Sequence, residues 1–206
     1  LDGFCKKYNN VSENYKENEF LTKWLSNPFI KKVATQYLET SKFTLDVFNT
    51  LDTKDTKHGA QNPHFDRIPT LKFLLYLNDV EIENGSFCVS PGSHHWVRKV
   101  FPLPRSKHND NSFLEKTRQL PNQIIKDILP ISGKAGQLLI FHTDCVHNQG
   151  IVHSGETKIV RAHFRNPYQY VNKDKNYLVH KINNLFINKN KNYLLNKIDK
   201  VLLNKN

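Results

Sequence analysis

Residues 61–77 read Gln-Asn-Pro-His-Phe-Asp-Arg-Ile-Pro-Thr-Leu-Lys-Phe-Leu-Leu-Tyr-Leu. The second half, Leu71–Leu77, is an apolar run of strand length bounded by polar and turn residues, and it predicts a buried strand. Just ahead of it, His64-Phe65-Asp66 sets an imidazole and a carboxylate at i and i+2, positions whose side chains point the same way in an extended segment. The pair thus stands at the mouth of a strand facing an apolar interior, where imidazole and carboxylate can share one metal ion.

Working outward, Phe43, Leu45 and Val47 alternate with Thr44 and Asp46, which predicts a half-buried strand followed by the polar turn Asp52–His58. Further strands are expected at Ser86–Val89, Gln137–Phe141 and Thr157–Phe164, separated by turns such as Glu83-Asn84-Gly85 and Ser90-Pro91-Gly92-Ser93. Many short strands with turn signals point to a β-sandwich or barrel. Ahead of them, Asn27-Pro28 caps an amphipathic helix with Phe29, Ile30, Val33, Ala34, Tyr37 and Leu38 on one stripe.

One domain is expected over residues 1–206, with a helical region at 1–42 and a β core at 43–165. Residues 102–133 read as a partly helical excursion that could cover a site; Ser112 and Glu115 form a capping-box pattern and Ile124, Ile125, Ile128 and Leu129 an apolar cluster. In 172–206, Tyr193, Leu194, Ile198, Val201 and Leu202 predict a basic amphipathic helix.

Thirty Lys and Arg stand against 19 Asp and Glu, a formal charge of +11 that invites a nucleic-acid reading. Residues 172–206 hold eight Lys and two Asp, so over half of the excess falls on the predicted helix, where Lys occupies the polar side of an apolar stripe. That segment lacks the Arg and aromatic interleaving used to stack bases. The expected partner is a small-molecule substrate, with neither nucleic acid nor membrane; no apolar run approaches the ~20 residues a bilayer requires. Cys5, Cys88 and Cys145 are widely spaced, which fits reduced thiols in a cytoplasmic protein rather than a zinc ribbon or disulfide framework. The chain begins at Leu1 and has no Met, so further chain is expected ahead of it.

His-x-Asp occurs three times, at His64/Asp66, His108/Asp110 and His142/Asp144, so the tripeptide alone decides nothing. His108 lies in a polar stretch with no strand on either side, which reads as a solvated loop. His142 and Asp144 close the Gln137–Phe141 strand only a few residues from His147, which makes one of these histidines the better source of a distant third ligand.

The ordered series His64-Phe-Asp66, Leu71–Leu77, Asn84-Gly85, Pro91-Gly-Ser-His94, Gly136-Gln-Leu-Leu-Ile-Phe141 and His147-Asn-Gln-Gly150 resembles the phytanoyl-CoA dioxygenase family of iron(II)/2-oxoglutarate oxygenases, from about Phe43 to Phe164. The resemblance implies a mainly β (α+β) fold: a double-stranded β-helix, or jelly roll (cupin-type barrel), with flanking helices. It implies catalytic metal ligands His64, Asp66 and His147, a facial triad leaving three positions on an octahedral ion for 2-oxoglutarate and O2. The cofactors implied are Fe(II), 2-oxoglutarate as co-substrate, and O2. The implied reaction is hydroxylation of a small molecule, an anionic or acyl compound among the expected classes, with release of succinate and CO2. Family members that halogenate carry a small residue where Asp66 stands, so the carboxylate favours hydroxylation.

The family usually holds the far carboxylate of 2-oxoglutarate with an Arg eleven positions after the distal His. That position here is Lys158, and the nearest Arg is Arg161. Lys158 shares a strand face with Val160, Ala162 and Phe164, and Arg161 with Ile159 and His163. Taking the apolar face as the barrel interior puts Lys158 ahead of Arg161 as the cofactor-binding cation, with Lys72 as a further group. His94, His95, His153, His163 and His180 are read as structural or exposed, Trp96 as an aromatic anchor, and Phe65 as packing on neighbouring strands. The alternative is a metal-binding cupin-type barrel without 2-oxoglutarate turnover, motivated by Lys158 standing where Arg is usual.

Overall fold

Asn27 and Pro28 open the longer N-terminal helix as their chemistry predicts: the Asn27 side chain accepts a hydrogen bond from Phe29 N at 2.9 Å, and Pro28 occupies the first turn. The computed structural model describes residues 18–56, 61–103, 105–106, 119–167 and 170–171. Its helices are α1 (Glu19–Leu25), α2 (Pro28–Leu38), α3 (His94–Val100) and α4 (Asn122–Lys126). Its strands are β1 (Thr44–Thr53), β2 (Leu71–Tyr76), β3 (Phe87–Val89), β4 (Arg105–Ser106), β5 (Leu129–Ile131), β6 (Leu138–His142), β7 (His147–Gln149), β8 (Glu156–Arg165) and β9 (Tyr170–Val171). The capping box at Ser112, the His108/Asp110 pair, Cys5, His180 and the 172–206 helix lie outside the described residues.

Two antiparallel sheets form the barrel, a larger one in the order β1-β8-β2-β6 and a smaller one in the order β5-β3-β7. This is the double-stranded β-helix, with helices packed on one flank. Phe87 of the smaller sheet meets Phe141 of the larger at 4.5 Å between ring centroids. Tyr76 joins the two through its hydroxyl, which donates to Ile131 O at 2.8 Å and accepts from Phe87 N at 3.1 Å. Burial raises this phenol to about 12, so it stays a donor.

The larger sheet has two different faces. Leu71, Phe73, Ala162 and Phe164 pack against Ile30, Ala34 and Leu38 of α2, while Val47, Leu75 and Val160 pack against Leu21 of α1. The opposite residues, Lys72 and Leu74 of β2 and Ile159, Arg161 and His163 of β8, turn toward the smaller sheet. Every residue of β2 is buried, which accounts for its almost wholly apolar reading, broken only by Lys72.

This corrects the expectation that the apolar face of β8 lines the barrel. Val160, Ala162 and Phe164 are apolar because helices cover them, whereas the inward face carries charged groups. Phe65 also differs: it is buried beneath α3 with Val97, Leu120 and Val146, and Trp96 and Phe101 border it, rather than lying against strands.

Phe73 is wholly buried at the centre of the helix-covered face. Phe73→Ala should lower unfolding stability by about 3–5 kcal/mol, measured by denaturant titration. A loss below 1 kcal/mol would show that this face is not a packed core.

Candidate metal centre

His64 enters the barrel by pairing with His147. The two residues exchange reciprocal backbone hydrogen bonds, His64 N to His147 O at 3.0 Å and His147 N to His64 O at 2.8 Å. The bridge extends the smaller sheet beyond β7 and sets the two imidazoles 4.6 Å apart. Two residues on, Asp66 N donates to Thr143 O at 3.0 Å, which brings the carboxylate to the same side.

Each ring is then fixed by its other nitrogen. His64 Nδ1 lies 2.7 Å from Asn62 O, and His147 Nδ1 lies 2.8 Å from Cys145 O. A carbonyl accepts only, so Nδ1 carries the proton on each, and in the neutral ring Nε2 presents a lone pair. The Asp66 Oδ1 atom lies 3.8 Å from His64 Nε2 and 3.7 Å from His147 Nε2. The three ligand atoms all lie within 4.8 Å of one another; adjacent ligands of a metal at ~2.1 Å stand roughly 3 Å apart, so a closure of less than about 2 Å brings this set onto one ion.

The fit is also electrostatic. His147 Nε2 is buried and has no hydrogen-bond partner, a costly arrangement for a ring nitrogen unless something ligates it. Burial, then the nearby Lys72 charge, push the His147 imidazole down to about 3, so it is neutral at physiological pH. Burial alone would raise the Asp66 carboxyl, but the Lys72 ammonium, by its charge and its hydrogen bond, works against it and the carboxyl is held at about 2. A neutral imidazole and an ionised carboxylate are the protonation states a metal requires.

Beside the triad, a pocket with a cavity volume of about 50 Å3 opens to solvent. Its walls are Leu74, Phe87 and Phe141, and its polar groups are Lys72, Gln149 and Arg161 with the two histidines. Arg161 Nε is buried without a hydrogen-bond partner. Lys158 is not among the lining residues; its ammonium lies 2.6 Å from Glu156 Oε1. The order expected for the two cations is therefore reversed in placement, because the face assumed to be interior is the one beneath the helices. Lys72 lines the pocket and pairs with Asp66 Oδ2 at 2.8 Å.

Two inward residues were missed. Gln149 stands two positions from His147 on the same side of β7 and is tied to Gly85 O at 2.6 Å. His163 is aligned with Lys72 across β8, and its Nδ1 faces the Arg165 guanidinium at 3.3 Å. Burial, then Lys72, Arg161 and Arg165, push it down to about 2. Strand parity from His147 finds Gln149, and parity from Arg161 finds His163.

The His142/Asp144 pair takes a different part. Asp144 is completely buried and accepts a hydrogen bond from Arg98 Nε of α3 at 2.9 Å. Its backbone N–H donates to His142 Nδ1 at 3.1 Å, and the His142 ring packs on Tyr37 of α2. The pair fastens two helices to the turn that carries Thr143 and Cys145. His94 Nδ1 lies 3.8 Å from the Cys145 thiol, and His95 and His153 are exposed. Cys88 and Cys145 are free thiols.

The fold and this side-chain set define a double-stranded β-helix of the kind that carries a 2-His-1-carboxylate face at its open end. The sequence profile of the phytanoyl-CoA dioxygenase (PhyH) family matches residues 22–160, more than half of the chain, and the chain belongs to that family. No curated protein matches the sequence. Solved structures of similar fold include the epimerase SnoN in complex with Fe3+, alpha ketoglutarate and nogalamycin RO, at TM-score 0.54 and 19% identity over 76% of this chain and 62% of that one. HygX from Streptomyces hygroscopicus, with nickel and 2-oxoglutarate bound, aligns at TM-score 0.54 and 13% identity over 81% of this chain and 75% of that one. EvdMO1 aligns at 0.52 and 19% over 77% of this chain, which spans 35% of that chain's length. At these identities the likeness establishes the fold. Among the described residues no helix is long and apolar enough to cross a membrane.

Arg98→Met would leave the buried Asp144 carboxylate without its guanidinium. It should lower stability by about 2–3 kcal/mol, less than the ~3–5 kcal/mol of a fully buried broken pair because Arg98 is half exposed. Thermal unfolding measures this, and an unchanged midpoint would contradict the fastening role.

Proposed function

We propose that this chain is an iron(II)- and 2-oxoglutarate-dependent oxygenase that hydroxylates a small molecule. The observation that carries the reading is the buried, unpartnered His147 Nε2 facing Asp66 Oδ1 beside His64. His64, Asp66 and His147 hold the iron, and with iron and 2-oxoglutarate bound the centre supplies oxidative decarboxylation to succinate and CO2 coupled to oxidation of a substrate C–H bond.

The protein's own groups orient and shield. Arg161 reaches the far carboxylate of 2-oxoglutarate, giving its unpartnered Nε a partner and using a planar donor fork that Lys lacks. Leu74, Phe87 and Phe141 keep water from that side. His64 and Asp66 remain 29% and 27% exposed, against 4% for His147, so substrate approaches over His64 and Asp66. SnoN and HygX, of the same fold, hold alpha ketoglutarate or 2-oxoglutarate, which supports the co-substrate assignment. SnoN is an epimerase, so the fold accommodates outcomes other than hydroxylation. The Asp66 carboxylate, standing where halogenating relatives have a small residue, supports hydroxylation here. The substrate is a small molecule, an anionic one being favoured by the basic charge balance and an acyl one by the family resemblance; no nucleic acid or membrane partner is proposed.

Succinate formation with Fe(II), 2-oxoglutarate and O2 should fall at least a hundredfold in His64→Ala and Asp66→Ala. Arg161→Met should raise the KM for 2-oxoglutarate at least tenfold, whereas Lys158→Met should leave it within twofold. Full turnover in Asp66→Ala would refute the centre, and a Lys158 effect exceeding that of Arg161 would reverse the assignment.

A further inference from the structure

The two oxygens of Asp66 have different partners. Oδ1 is the atom that faces both imidazoles, while Oδ2 lies 2.8 Å from Lys72 Nζ. Lys72 reaches it from the inward face of β2 with a side chain only 10% exposed, its ammonium 5.8 Å from the centre of the Phe141 ring. On the adjacent strand the register sets His163 opposite Lys72 and Arg161 opposite Leu74, so the Arg161 guanidinium belongs to the next row of the inner face.

We propose that Lys72 is a positioning residue that holds Asp66 Oδ2 and thereby restricts the carboxylate to one-oxygen ligation. The proposal rests on the reading of His64, Asp66 and His147 as a metal centre. Its consequence is a coordination count. Three single-atom ligands leave three positions on a six-coordinate ion, enough for a two-atom chelate and one further molecule; a two-oxygen carboxylate leaves only two. A carboxylate readily adopts either mode, so something must select between them. A buried ammonium on the second oxygen makes that selection, and it does so before any co-substrate enters. Lys72 then acts on the metal through Asp66.

The test counts water on the metal without requiring turnover. Manganese(II) is loaded into the protein in place of iron, with no 2-oxoglutarate, and inner-sphere waters are counted from water-proton relaxation. Wild type and Lys72→Arg should show three. Lys72→Met and Lys72→Gln should show two, a loss of about a third in inner-sphere relaxivity, because Met offers no donor and Gln falls one bond short of Asp66. Two variants of different polarity guard against a folding failure in either. Three waters in both neutral variants would overturn the proposal, as would loss of a water in Lys72→Arg, since the effect would then follow disturbed packing. Failure of the wild type to bind manganese would instead overturn the metal centre itself.

Discussion

The reciprocal backbone pair between His64 and His147 is the constraint on which the site depends. It joins two segments far apart in the chain and fixes their side chains through the backbone, whose hydrogen-bond directions are less adjustable than any side-chain contact. Everything else refines that placement. Thr143 O positions Asp66, Asn62 O and Cys145 O orient the imidazoles, and Arg98 with Asp144 secures the turn from which Thr143 and Cys145 project. The rings therefore need no metal to be held in place, which is the pre-organisation a binding site requires.

A good part of this was legible in sequence. Leu71–Leu77, Gln137–Phe141 and Thr157–Phe164 fall on β2, β6 and β8 to within a residue or two, because long apolar or alternating runs declare themselves. The short elements did not. β7 is His-Asn-Gln, without an apolar residue to mark a period, and β5 is Leu-Pro-Ile, with a proline that argues against a strand except at an edge. α3 lacked a start signal because the Ser93 hydroxyl donates to Ser90 O and accepts from Val146 N instead of capping the helix. His64 and His142 present the same tripeptide; context at the mouth of the Leu71–Leu77 strand singled out His64 and Asp66, and the ordered resemblance added His147.

The side of the barrel was the harder inference. Alternation in β8 separates Lys158 from Arg161 correctly but does not say which face is inside. The usual assumption that apolar means interior failed because this sheet has two covered faces, and the helices take the more apolar one. An inner face that must surround a charged centre cannot be wholly apolar, since an unpaired buried charge is far more costly than a buried ion pair. Where a sheet carries both a helix layer and a polar site, the apolar face points to the helices.

The same reasoning changes the meaning of the +11 charge. The inner face pairs its cations locally: Lys72 with Asp66, and Arg165 with Asp46. Arg161 is arranged differently, for Asp52 and Asp66 act on it electrostatically while its Nε has no hydrogen-bond partner. Burial opposes the charge of that guanidinium, and an anion entering the pocket offsets the cost by supplying the missing acceptor. On the proposed function, affinity for a carboxylate would thus arise from one incompletely satisfied donor inside the barrel. The net excess over the whole sequence contributes at most to the rate at which an anion arrives.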